Sequence, residues 1–87
     1  MEDISKLQDQ VLEDVSGGVI TQEEALANAL ARAKLSEEEV DFVKKIEMDY
    51  EHGRRIYEVE FYKDGFEYNF DIDAATGKIL KFKKEWD

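Results

Sequence analysis

The chain is 87 residues long, 43% hydrophobic and 11% aromatic, which suits one small domain with a single core and argues against disorder despite a charged share of 39%. A formal net charge of −10 opposes nucleic-acid binding, which draws on clustered Lys and Arg, and the absence of cysteine removes both a disulfide framework and a thiolate metal site. Nothing in this composition calls for a cofactor.

The first residues, Met1-Glu2-Asp3, are acidic where a secretory signal would be basic and then apolar, and no apolar run approaches the length of a membrane span. Ile4, Leu7, Val11, Leu12 and Val15 then recur at helical spacing until Ser16-Gly17-Gly18 breaks the pattern. This predicts an N-terminal amphipathic helix and Gly-Gly turn over residues 1–18, packed by its apolar stripe on a domain spanning 19–87. Thr21 and Glu24 have the spacing of a capping box and open a second helix. Its inward stripe, Ala25, Leu26, Ala29, Leu30 and Ala33, is mostly alanine, so the helix can lie close to a sheet and leave room for bulky residues opposite. Ser36 and Glu39 repeat the capping spacing, with Leu35 and Val40 at the staple positions, and predict a short helical turn.

From Phe42 the hydrophobic period becomes two, the mark of half-buried strands. The first strand, Phe42 to Tyr50, is read with Phe42, Ile46, Met48 and Tyr50 on one face and Val43, Lys45, Glu47 and Asp49 on the other, with Lys44 as the break. After a turn at Glu51-His52-Gly53, a strand from Ile56 to Lys63 turns Tyr57, Val59 and Phe61 inward and Glu58, Glu60 and Tyr62 outward. Asp64-Gly65 is a strong two-residue hairpin signal. The third strand sends Phe66, Tyr68, Phe70 and Ile72 inward, and the fourth carries Ile79, Leu80 and Phe82 among Lys78, Lys81, Lys83 and Lys84. Short loops between consecutive strands make an antiparallel meander the economical topology. The expected class is α+β, with N-terminal helices packed on a four-stranded antiparallel sheet.

These residues resemble a PepSY domain over about Val19 to Lys83. The likeness is carried by Ile20-Thr21-x-Glu23-Glu24-Ala25, by Ala29 and Ala33, by Tyr57-Glu58-Val59-Glu60-Phe61, and by the run from Tyr68 through Phe70-Asp71-Ile72-Asp73-Ala74-Ala75-Thr76-Gly77-Lys78-Ile79. The resemblance implies a helix on a curved antiparallel sheet. It also implies the setting of such modules: prosegments of thermolysin-like metallopeptidases, where they assist folding and inhibit, and bacterial cell-envelope proteins. An extracellular or envelope location is expected on that ground. No His-Glu-x-x-His motif occurs and no peptidase follows Trp86-Asp87 in this sequence. Inhibition is therefore expected in trans.

Nucleophilic catalysis needs a nucleophile beside a positioned base, and the chain offers one His, no Cys, and the serines Ser5, Ser16 and Ser36. His52 falls in a predicted turn and is read as an exposed turn residue. Asp71 and Asp73 share the outward strand face, but Asp73 suits the acceptor of a hairpin turn completed by Thr76 and Gly77. Their spacing falls short of a calcium loop, with Ala75 where a ligand would be required. No catalytic or metal site is therefore assigned; Asp71, Asp73, Thr76 and Gly77 are read as a structural turn. The outward aromatic Tyr62 amid Glu58 and Glu60 is the nominated partner-binding surface. The function expected is a non-enzymatic protein-binding module, a peptidase inhibitor or regulator. The alternative is an assembly module in which the N-terminal helix or an edge strand forms a homodimer without a peptidase target.

Overall fold

A computed structural model describes residues 19–86. The helix expected over residues 1–18 lies outside the described residues. One helix, α1 (Gln22–Ala33), and a 3-10 turn at Glu37–Glu39 precede four strands, β1 (Phe42–Glu51), β2 (Arg54–Lys63), β3 (Phe66–Asp73) and β4 (Ile79–Trp86). The strands form one antiparallel meander in the order β1-β2-β3-β4.

Local chemistry sets the ends of α1. Thr21 Oγ1 accepts from the Glu24 amide at 3.0 Å while Glu24 Oε1 accepts from the Thr21 amide at 2.8 Å, which satisfies two donors that the first helical turn would leave unpaired. At the other end Lys34 adopts a left-handed conformation with φ 63°. Its amide donates to Ala31 O and the Leu35 amide to Leu30 O, the pairing of a Schellman cap. In the following 3-10 turn, Glu39 Oε1 accepts from the Ser36 amide at 2.8 Å.

Two-residue loops fix the first two hairpins. His52-Gly53 joins β1 to β2 and Asp64-Gly65 joins β2 to β3, with positive φ at all four residues, as a type I′ turn demands. Strand β2 thus begins at Arg54, two residues before the expected start.

The core lies between α1 and the sheet. Ala25, Ala29 and Leu30 of α1 are buried against Tyr57, Val59 and Phe61 of β2, Tyr68, Phe70 and Ile72 of β3, and Ala74. Leu26, Ala33, Ile46 and Phe82 complete it as half-buried neighbours. Close approach by an alanine stripe leaves volume for the opposing rings, and Phe61, Phe70 and Phe82 stack in sequence at centroid distances of 5.5 and 4.7 Å.

Strand β1 departs from simple alternation. Val43 pairs with Phe61, but the next pair is Lys45 with Glu60, so Lys44 is the extra residue of a β-bulge. The bulge shifts the parity of everything before it. Phe42, read on one face with Ile46, Met48 and Tyr50, instead opposes outward Tyr62 and stacks on its ring at 4.8 Å; Val43 takes the inward parity. Met48 and Tyr50 lie on the helix side yet are 39% and 66% exposed. A helix of 12 residues extends about 18 Å, whereas a strand of ten extends about 33 Å, so α1 cannot cover the full length of β1.

Candidate functional site

The sheet face turned away from α1 is polar and is organised by register. Across β1, β2, β3 and β4 the outward rows run Lys45–Glu60–Asn69–Lys83 and Glu47–Glu58–Asp71–Lys81. Because the bulge leaves two consecutive residues opposite one, both Lys44 and Lys45 reach this face. Lys45 Nζ lies 2.9 Å from Glu58 and 3.5 Å from Glu60, and Lys44 Nζ lies 3.7 Å from Glu60 and 3.5 Å from Glu67. The hydrogen bond to Glu58 is the main cause that pushes the Lys45 ammonium up to about 12. Lys83 closes the far side through Glu85 at 2.8 Å.

Glu58, Glu60 and Tyr62 therefore stand in one line along β2, each half-buried. The two carboxylates are members of a lysine-bridged lattice, and Tyr62 is capped by Phe42 with Lys44 Nζ 5.8 Å from its ring centroid. The lysine partners of Glu58 and Glu60 come from the neighbouring strand β1, so the register between the two strands, not spacing along β2, brings these charges together. Lys44 interrupts the alternation of β1, and an interrupted alternation at a strand start is the signal of a bulge. Glu58, Glu60, Glu67, Asn69, Asp71 and Lys81 line a shallow depression of about 340 Å³. Within it burial holds the Asp71 carboxyl above the usual range, with Lys81 opposing that shift.

Asp71 and Asp73 are not used alike. Asp73 Oδ1 accepts from the Ala75 and Thr76 amides at 2.8 and 3.1 Å, and its carbonyl accepts from the Gly77 amide at 2.7 Å. Thr76 Oγ1 accepts from the Lys78 amide at 3.2 Å. Gly77 has φ +81°, and a Cβ there would lie 2.7 Å from Asn28 Nδ2, which itself donates to Gly77 O. The connection between β3 and β4 is thereby tied to α1. Asp71 belongs to none of these bonds and faces Lys81 across the ladder.

A second bulge lies between Asp71 and Ile72 in the pairing with β4, where Ile79 and Lys81 are the successive partners and Leu80 is extra. Leu80 thereby joins outward-facing Ile56 in a recess also lined by Glu51, His52 and Arg54. Ile56 is only 2% exposed, an apolar anchor on the polar face. Sequence reading missed it. Its trace was two apolar doublets, Ile56-Tyr57 and Ile79-Leu80, each of which supplies both faces at once. Beside this anchor the carboxylates of Asp49, Glu51 and Glu58 approach within 4.8 Å of one another, and the first two are exposed. Lys45 already answers Glu58, so it is the repulsion between exposed Asp49 and Glu51 that favours an incoming cationic side chain. His52 is exposed at the tip of the first hairpin, with φ 54°.

The peptidase propeptide and YPEB domain family, PepSY, matches residues 19–83. Spy1430, a protein of uncharacterised function from Streptococcus pyogenes serotype M6, is 30% identical over 66 residues, which cover 76% of this chain and 50% of that protein. A crystal structure of a presumed lipoprotein from Clostridium difficile 630 superposes with a TM-score of 0.63 at 28% identity, covering 79% of this chain and 41% of its own. The chain thus spans about half the length, or less, of these relatives. Among the described residues no helix is long and apolar enough to cross a membrane.

Proposed function

The chain belongs to the PepSY family, and from that premise we propose that it is a non-enzymatic protein-binding module that restrains a thermolysin-like peptidase in trans, in an extracellular or envelope setting. The family's place in peptidase propeptides supports the choice of target. Likeness to a presumed lipoprotein supports the setting. The observation that carries the binding role is the outer sheet face: half-buried Glu58, Glu60, Glu67 and Lys45 form a lattice with exposed Lys44 around a depression of about 340 Å³, and among the described residues no element covers it. Such a face offers many fixed polar groups in a defined register, which favours recognition by complementarity. Glu58, Glu60 and Tyr62 are the proposed centre of contact.

Titration of the full chain against a panel of thermolysin-like peptidases, read by activity and by direct binding, tests this. Saturable inhibition of at least one member is expected, weakened by Glu60→Lys. An absence of both binding and inhibition across the panel removes the peptidase reading. The competing reading, assembly as a homodimer, has support in exposed Tyr50 and Trp86 on the two outermost strands, at 66% and 72%. A concentration-independent monomer in sedimentation removes it.

A further inference from the structure

The two outermost strands are protected to different degrees. On β4 the lysines Lys81, Lys83 and Lys84 and the bulge at Leu80 oppose further pairing, the usual defence of an exposed edge. On β1 the bulge at Lys44 guards only the beginning. From Ile46 to Glu51 the ladder with β2 is regular, and among the described residues nothing pairs with the other side of this segment. It presents Met48 and Tyr50, both exposed, toward the helix side and Glu47, Asp49 and Glu51 toward the polar face.

That alternation defines a complement. A strand added alongside would place every second residue among the three acids and the intervening ones over Met48 and Tyr50. Among the described residues the three acids have little neutralisation of their own. Lys45 is 3.9 Å from Glu47 but is committed to Glu58 at 2.9 Å, and Asp49, Glu51 and Glu58 crowd within 4.8 Å. A second copy joined through the same edge would bring acids against acids, which opposes it. We infer that the edge of β1 from Ile46 to Glu51 takes up, as a fifth strand, an extended segment of a partner protein in which basic and apolar residues alternate. The inference rests on the protein-binding module proposed above and specifies the chemistry of its partner. Main-chain hydrogen bonds would supply affinity and the acid row would select sequence and register.

The probe is a labelled synthetic peptide of strictly alternating valine and lysine, titrated into the full chain by fluorescence anisotropy with amide exchange followed by NMR. Expected are binding that weakens as salt is raised, new protection confined to Ile46 to Tyr50, and loss of at least about tenfold in affinity for Glu47→Lys with Asp49→Lys at unchanged circular dichroism. A peptide of the same composition with valines and lysines in separate blocks is expected to bind more weakly, and a valine–glutamate peptide not at all. Equal binding of either control, protection on β4 instead of β1, or protection of β1 that rises with protein concentration without peptide overturns the inference. Peptide capture without any peptidase binding would leave the edge assignment standing and remove the peptidase target. Peptidase binding indifferent to the double substitution would do the reverse.

Discussion

Two aspartates two residues apart on one strand face carry different burdens. Asp73 spends one carboxylate oxygen on two turn amides and so acts as a piece of backbone. Asp71 sits in the half-buried depression between Glu58 and Lys81, where desolvation outweighs the lysine and raises its proton affinity. The sign of the consequence follows from linkage. Just above the usual carboxylate range the folded protein still holds this proton while the unfolded chain has lost it, so this group's contribution to stability declines as pH rises through that window. Asp71→Asn, which imitates the protonated form, is expected to be more stable than the parent at neutral pH and equal to it below the carboxylate range. Urea unfolding at the two pH values measures this, and a neutral-pH loss of stability would show that the Lys81 pairing dominates.

At the level of elements, caps and turns were legible because each depends on residues within a few positions of one another. The Thr21 and Glu24 box, the Asp64-Gly65 hairpin and the alanine stripe of α1 are of this kind. One terminus runs against intrinsic preference: Lys34 occupies the left-handed position that favours glycine, at φ 63°. Lys34→Gly is expected to stabilise the protein by about 0.5–1 kcal/mol, since relief of the backbone strain exceeds glycine's larger unfolded-state entropy. Its side chain is exposed, so no packing is lost. Thermal unfolding should show a raised midpoint; an unchanged or lowered one would mean that the strain is negligible. The face assignments of β1 were not legible in the same way. Periodicity counts positions, and a bulge inserts a position that only the partner strand reveals.

At the scale of the whole fold, the described residues lay one helix on one sheet, a core without redundancy among them. Phe70 lies between Phe61 and Phe82, parallel to the latter within 2°, and is 2% exposed. Phe70→Ala should remove about 3–5 kcal/mol, a large share of the 5–15 kcal/mol that a domain commands. Denaturant titration is the check, and a loss near 1 kcal/mol would mean that the aromatic stack is not the centre of the core. The opposite face follows another logic, because its charges pair across strands and lose little if one pair is removed. The order of helix and strands, the N-terminal caps and the turns, the inward rows of β2 and β3 and the likeness to the family were readable from the chain, since they rest on spacing and turn chemistry within short windows. Tertiary structure alone decided the outward turn of Phe42, the burial of Ile56 beside Leu80, the lysine partners of Glu58 and Glu60, and the stretch of β1 that no described strand pairs. Each of these depends on the register between separate strands or on how far a short helix can extend, and neither quantity is contained in any local stretch of residues.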